Sequence, residues 1–339
     1  MNRLLAALAA LGLVLAATSA KADDFFRGKT IRIIVGGAAG AGYDLNARIL
    51  ARYMPDHIPG KPSIVVQNQM GAGSLIMANS VYNNGSFDGL TIGAGFGGIV
   101  TAQLLQPKGV HFDARKLIWL GTTTQDTQIA YVWAATPVKT YQDLLHTETL
   151  VGAEGPGASQ WDYPMIANAV LGTKFKVISG YGSTQQIHAA MERGELMGNG
   201  GTSYSSLATL EPQWLAQRKV NILLVWGERS LPPLAGIPRA IDLAKNDADR
   251  QAIGLAIARL VVGKPFFLPP GVPADRVEIL RRAFDATMKD PGFLAEEAKT
   301  KLDVSPLSGE EVTATINRIY ATPPAVIDRV RDILTGKAK

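Results

Sequence analysis

Residues 30–54, TIRIIVGGAAGAGYDLNARILARYM, constrain this chain more than any other stretch, because they prescribe a buried strand, a glycine-rich turn and a helix in immediate succession. Thr30 to Val35 is a β-branched apolar run of the kind found in central strands. Leu45, Ile49, Leu50, Tyr53 and Met54 recur at helical spacing. Between the two, Gly36, Gly37, Gly40 and Gly42 are interleaved only with alanines. Backbone without Cβ atoms can approach a ligand closely, and the first N–H groups of a helix have no intrahelical partner. Together with the positive end of the helix dipole they make an anion site that needs no charged side chain. A tight corner built for packing alone uses the same residues, so the turn by itself leaves both readings open. A nucleotide is disfavoured. The G-x-G-x-x-G pattern begun at Gly40 requires glycine where Leu45 stands, and the Gly-Lys-Ser/Thr ending of a phosphate loop is absent.

The same grammar recurs downstream. Ser63 to Gln67 reads as a strand, followed by Asn68 to Ser74 with Gly71 and Gly73, then a helical run from Leu75 to Tyr82. Leu90 to Ala94 is a third short strand, closed by Gly95-Phe96-Gly97-Gly98. Ile118 to Gly121 and Ile129 to Ala134 read as strands joined by a polar turn. A second block opens with the strand LVGA at Leu150 and the loop Glu154 to Ser159, and continues as a helical run to Leu171. Phe175 to Ile178 then leads into Ser179 to Ser183, and a helix from Thr184 to Arg193 precedes Gly198 to Thr202, read as a polar loop. Alternation of this kind predicts βαβ units and a largely parallel sheet in each block. Ligands of open α/β sheets bind beyond the carboxyl ends of the strands, so three loops in each block are expected to face a common cleft. Asn221 to Trp226 is a further strand, and the remainder is rich in helix signals. In one of these helices Val277, Leu280, Phe284 and Met288 fall on one face as core, with the opposite charges solvated.

The N-terminus carries Arg3, an apolar run from Leu4 to Ala17 and an A-x-A pattern at Ala20-Lys21-Ala22. This reads as a secretory signal peptide, residues 1–22, and the apolar run is short for a membrane span. Its removal takes away Arg3 and Lys21 and no acid, so the formal charge falls from +5 to +3. That excess is modest, and no basic cluster marks a nucleic-acid face. With no cysteine at all, an exported chain must rest on an ordinary core, which its 47% hydrophobic residues can supply, in two domains.

Metal and covalent chemistry lack sequence support. His57, His111, His146 and His188 are scattered, read as surface or capping residues, and form no H-E-x-x-H pair. No G-x-S-x-G elbow occurs. Ser159, Ser183 and Ser203 stand in loops, where they either donate to a ligand or cap helices. Glu154 beside Ser159 is the one acid there that invites a catalytic role, without a nucleophile–base pair. No cofactor and no metal are expected.

In order and at matching spacing, several short motifs resemble the tripartite tricarboxylate transporter receptors, the Bug or TctC family of periplasmic solute-binding proteins. They are K-T-I-R-I-I-V from Lys29, the glycine turn with Asp44-x-x-Ala47-Arg48, Val66-Gln67-Asn68 with Gly71-Ala72-Gly73, Phe87-Asp88-Gly89-Leu90-Thr91, Pro137-Val138-Lys139-Thr140 with Asp143-Leu144, and Pro269 to Pro273. The resemblance runs from about Lys29 to Ile333. It implies an α/β fold, a two-lobed periplasmic binding protein of type II-like build, with a ligand cleft between the lobes. Lobe one would take residues 23–124 and 227–339 and lobe two residues 125–226, with crossings near Thr124 to Tyr131 and Val225 to Glu228. It also implies a receptor, not an enzyme, monomeric in the periplasm, that closes on a small organic carboxylate and delivers it to the permease subunits of a tripartite transporter. Carried over, the ligand-binding set is Gly37, Ala38, Ala39, Gly40, Gly42, Tyr43, Asp44, Gly95, Phe96 and Thr123 in the first lobe. In the second it is Ala153, Glu154, Gly155, Ser159, Trp161, Tyr181, Gly182, Asn199, Gly200 and Thr202.

This chain departs from the family where the first turn usually has a proline and an aromatic, here Gly36, Gly37 and Ala39, and at Trp161, where histidine is common. Glu154 either repels a second carboxylate or pairs with an amino group. The rival expectations are a secreted α/β hydrolase using a loop serine and a ligand sensor docking on a signalling receptor.

Overall fold

The computed structural model describes residues 25–300 and 303–337, and the expected signal peptide lies outside them. The chain runs through β1 (Thr30–Val35), α1 (Gly42–Tyr53), β2 (Ser63–Asn68), α2 (Leu75–Asn84), β3 (Thr91–Ala94), α3 (Ile99–Leu105) and β4 (Ile118–Thr122). Next come β5 (Gln128–Trp133), α4 (Tyr141–Leu144), β6 (Thr149–Ala153), α5 (Ser159–Ile166), β7 (Phe175–Ser179), α6 (Thr184–Glu192) and β8 (Gly198–Ser203). They are followed by α7 (Tyr204–Leu210), α8 (Pro212–Ala216), β9 (Val220–Trp226), α9 (Asp247–Val261) and β10 (Pro265–Leu268). The last are α10 (Ala274–Thr287), α11 (Pro291–Lys299), β11 (Leu307–Ser308), α12 (Gly309–Tyr320) and α13 (Pro324–Leu334).

These elements form two compact units. One takes the chain up to Ile99 with Gly109–Thr123 and Lys264–Ala314, and the other takes Val100–Lys108, Thr124–Gly263 and the chain from Thr315. The first unit holds the sheet β11-β4-β10-β3-β1-β2 and the second the sheet β7-β6-β8-β5-β9. In the first, β1 pairs parallel with both β2 and β3. In the second, β6 pairs parallel with both β7 and β8. The two blocks therefore repeat one βαβ plan, as the strand and loop grammar requires.

The sheets are mixed, which corrects the expectation of largely parallel ones. β10 runs antiparallel to β3 and β4, and β5 antiparallel to β8 and β9. β5 follows β4 with no helix between them, and β10 is entered from α9, a helix grouped with the other unit, so neither ends a βαβ crossover within its own sheet. All four residues of β10, PFFL, are buried, yet a four-residue run opening on proline gave no strand signal. A second correction concerns residues 198–202, which are not a loop: they belong to β8, at the centre of the second sheet.

The strands β5 to β9 all lie within residues 125–226, the span expected for lobe two. The helices divide differently. Residues 227–263 and the chain from Thr315 go with the second unit instead of lobe one, and so do residues 100–108. Side-chain bonds tie these segments together: Arg259 of α9 reaches Asp162 of α5 at 3.0 Å, Arg329 of α13 reaches Asp249 of α9 at 2.7 Å, and Arg331 bonds the Leu104 carbonyl at 2.7 Å.

In the first unit the alternation along β1 sends Ile31, Ile33 and Val35 into a core with Leu50, Leu280 and Phe284, all fully buried. The second unit's core joins Ile129, Tyr131, Ile187, Trp214 and Val225. Among the described residues no helix is long and apolar enough to cross a membrane.

Candidate functional site

In the first unit the three loops that follow β1, β2 and β3 are tied into one surface. The Gly36 N–H donates to the Ala94 carbonyl at 2.8 Å. Ser74 Oγ donates to the Gly36 carbonyl at 3.2 Å and accepts the Phe96 N–H at 3.1 Å. Ser74 is thus the knot of the three loops. It sits at a left-handed φ of 75° beside Ala72 at 47° and Gly73 at 61°, backbone that a non-glycine residue adopts only when its surroundings hold it there. Gly36 is glycine because a Cβ would meet Ser74 Oγ at 2.3 Å.

Asp44 shapes the turn. Its buried carboxylate accepts the Gly40 N–H and the Arg48 Nε, each at 2.8 Å, and the Asn68 amide at 2.9 Å. Asn68 also donates to the Gly37 carbonyl at 3.0 Å. The Arg48 bond foremost, then those from Gly40 and Asn68, hold the Asp44 carboxyl at about 2 against the cost of burial. Asp44 was expected among ligand-contacting residues, and its oxygens are spent on the turn itself. The N-cap of α1 is Ala41, in an extended conformation, and no side chain caps the helix. Exposed Ala38, Ala39 and Gly40 leave this turn open, with the Tyr43 and Phe96 rings 4.2 Å apart beside it. Gly95 lies against Met77, which a Cβ would approach to 2.9 Å.

Thr123 is engaged elsewhere. Fully buried, it donates to Asn46 Oδ1 at 2.9 Å, and Asn46 donates to Glu297 Oε1 at 2.8 Å. Burial, against the Asn46 bond and the charge of Lys264, pushes the Glu297 carboxyl up to about 7, and its Oε2 has no hydrogen-bond partner.

The second unit repeats the clamp with other residues. After β6 the loop of Glu154 to Ala158 is held by Asp162, which accepts the Gly157 N–H at 3.0 Å and the Arg259 guanidinium at 3.0 Å. In both units an aspartate in the early turns of a helix folds back on a glycine N–H and is pinned by an arginine. Arg259 also reaches the Gly157 carbonyl at 3.3 Å, Ser159 Oγ at 3.4 Å and the Tyr163 hydroxyl at 3.3 Å. Tyr163 in turn stacks on Trp226 at 4.8 Å. Sequence reading missed Ser74, Asn68, Asp162 and Arg259; the aspartate just inside each helix was the available signal.

Among the expected residues here, Glu154 and Gly182 are exposed, Gly155 and Tyr181 half-buried, and Ala153 buried at the end of β6. The Tyr181 N–H bonds the Ala153 carbonyl at 3.3 Å, joining the loops after β6 and β7. Asn199, Gly200 and Thr202 lie buried within β8. Gly200 is a packing glycine, since a Cβ would meet the Pro164 ring at 2.1 Å. Trp161 lies on α5. Among the described residues, buried side-chain donors without an acceptor include Trp161 Nε1 and Asn199 Nδ2.

No cluster of three metal-ligating side chains occurs among the described residues. Ser183 caps α6 and Ser203 donates to Asp126 at 2.8 Å. His188 is not the surface residue expected. Buried, it bonds the Tyr131 hydroxyl at 2.7 Å and Glu211 at 3.1 Å, and burial pulls its ring below the ordinary range.

No family model matches the chain. Among curated proteins, the UPF0065 protein in the gbd 5' region of Cupriavidus necator is 24% identical over 319 residues, covering 89% of this chain and 86% of that one. A TctC solute binding protein from Polaromonas superimposes with a TM-score of 0.70 at 18% identity, over 89% of this chain and 98% of that chain. MatC from Rhodopseudomonas palustris with bound malate gives 0.60 at 18%, over 90% and 99%. An R. palustris protein with adipate gives 0.63 at 16%, over 91% and 97%. The likeness to these structures is one of fold.

Proposed function

We propose that this chain, which has the fold of the TctC-type periplasmic binding proteins, is a periplasmic receptor that captures a small organic carboxylate and delivers it to the permease of a tripartite tricarboxylate-type transporter. The observation that carries the reading is the N-terminus of α1, which no side chain caps and whose approach is fixed by Asp44, Asn68 and Ser74. A rigid turn with free backbone donors at the positive end of a helix favours an anion. It costs little reorganisation when the ligand arrives. Within the second unit, Trp161 Nε1 and Asn199 Nδ2 are donors that an acceptor-rich ligand would satisfy. Malate in one structural neighbour and adipate in another support a dicarboxylate as the first ligand to try.

The test is calorimetry of the mature chain against malate, adipate and neutral analogues, with Gly42→Pro as the discriminating variant. Gly42 is the first residue of α1, where proline is tolerated, and Ala41 already has the extended backbone that a following proline requires. The substitution removes one N–H donor and keeps the helix. A charge-assisted hydrogen bond is worth about 1.5–3 kcal/mol, so affinity for the carboxylate should fall roughly tenfold or more with the melting temperature unchanged. Unchanged affinity would remove the turn from the site. No heat with any acid would remove the carboxylate reading.

A further inference from the structure

Helix α9 has two working faces. One carries Arg259 to the second glycine loop. The other presents Arg250, Gln251, Gly254, Leu255 and Ala258, a stripe at helical spacing. Opposite them stand Thr315, Arg318 and Ile319 of α12 and the Ala321-Thr322-Pro323 connection, and together they enclose a groove of about 390 Å³ within the second unit. That volume is in the range of small-molecule sites, roughly 300–1,000 Å³. Its floor is apolar, made by Leu255, Ala258 and Ile319, which are buried.

Two independent features say what the groove is shaped for. The first is Gly254, in the interior of a 15-residue helix. A mid-helix glycine costs about 1 kcal/mol relative to alanine. Gly36 and Gly200 are glycines because neighbouring atoms leave no room, but a Cβ at Gly254 would meet nothing within 4 Å and its φ is not left-handed. Neither backbone nor internal packing calls for glycine there. What its missing side chain does is keep the groove open. The second feature is charge. Among the described residues Arg250 has no side-chain hydrogen bond or ion pair, and Arg318 faces Glu228 across 3.7 Å with both groups exposed, a weak pairing. The N-terminus of α13 opens at the same rim, with Pro323 as an N-cap that supplies no side-chain acceptor.

We propose that this groove is a second ligand site, distinct from the glycine loops, for an organic anion with an apolar tail. The acid group lies between Arg250 and Arg318, and the tail runs over Gly254 onto Leu255, Ala258 and Ile319. Calorimetry of the full chain with octanoate as probe, and octan-1-ol as its neutral counterpart, tests it. Octanoate should bind one to one and at least tenfold tighter than octanol. Arg250→Glu should weaken octanoate at least tenfold, and Gly254→Leu, which fills the groove, should abolish binding. Neither should alter dicarboxylate binding. Arg250 is exposed, so its variant stays informative even if Gly254→Leu perturbs the helix. Equal binding of octanol, no octanoate binding at millimolar concentration, or undiminished affinity in Arg250→Glu would overturn the assignment. Loss of octanoate binding in Gly42→Pro with none in Arg250→Glu would move the probe to the glycine turn and overturn it equally.

Discussion

Replacing Glu297 by glutamine should stabilise this protein at alkaline pH and do nothing at acid pH. Glu297 is fully buried on α11, accepts a hydrogen bond from Asn46 through Oε1, and leaves Oε2 unpaired. Burial chiefly, with Glu296 adding and the Asn46 bond and Lys264 opposing, lifts its carboxyl from 4.5 to about 7. Below pH 4.5 the group is protonated in both the folded and the unfolded chain and contributes no difference. As pH rises from 4.5 to about 7 the unfolded chain ionises first, so stability is lost across that window, and above it the loss is complete. A rise from 4.5 to about 7 corresponds to about 3 kcal/mol. Glutamine keeps the acceptor for Asn46 and does not titrate, so it should recover most of that figure at pH 8 and almost none at pH 4.5. Urea unfolding followed by circular dichroism at the two pH values measures it. Equal stabilities at pH 8, or a gain that does not vary with pH, would refute the view that Glu297 is held protonated by burial. Asn46 lies on α1, the helix behind the glycine turn, so the same titration reports on the support of the candidate site.

Three further outcomes follow from the geometry. Asp44→Asn should cost about 1–2 kcal/mol at pH 7, reduced from the full value because Arg48 is largely exposed. Since the Asp44 carboxyl is held at about 2, the gap to wild type should close as pH falls from about 4 towards 2 in urea titrations. Gly200→Ala should destabilise by about 1–3 kcal/mol in thermal unfolding, because its Cβ meets the Pro164 ring at 2.1 Å and a proline has no rotamer to yield. Tyr131→Phe leaves the buried His188 Nε2 without its partner, and should cost about 1–3 kcal/mol in the same assay, with carboxylate binding unaffected.

The sequence by itself determined the βαβ grammar and hence the plan of each sheet. A run such as TIRIIV is β-branched at every position but Arg32 and has few alternatives to a strand. It also located the first glycine turn, because glycines between a strand and an amphipathic helix have a local cause and a local consequence. Residues 198–203, GNGGTS, show where that logic ends. Glycine makes a loop and a crowded strand equally well, and only the close approach of Pro164, Ser159 and Tyr163 decides for the strand. The clamps were out of reach for the same reason. Asp44 and Asp162 look alike in sequence, but one is pinned by an arginine four residues on and the other by Arg259, 97 residues away. His188 was likewise read as a surface or capping residue and became core when Tyr131 met it, and Thr123, expected at the ligand, bonds Asn46 instead. Tertiary structure decided what is long-range: which polar groups are spent on each other, and which are left for a ligand.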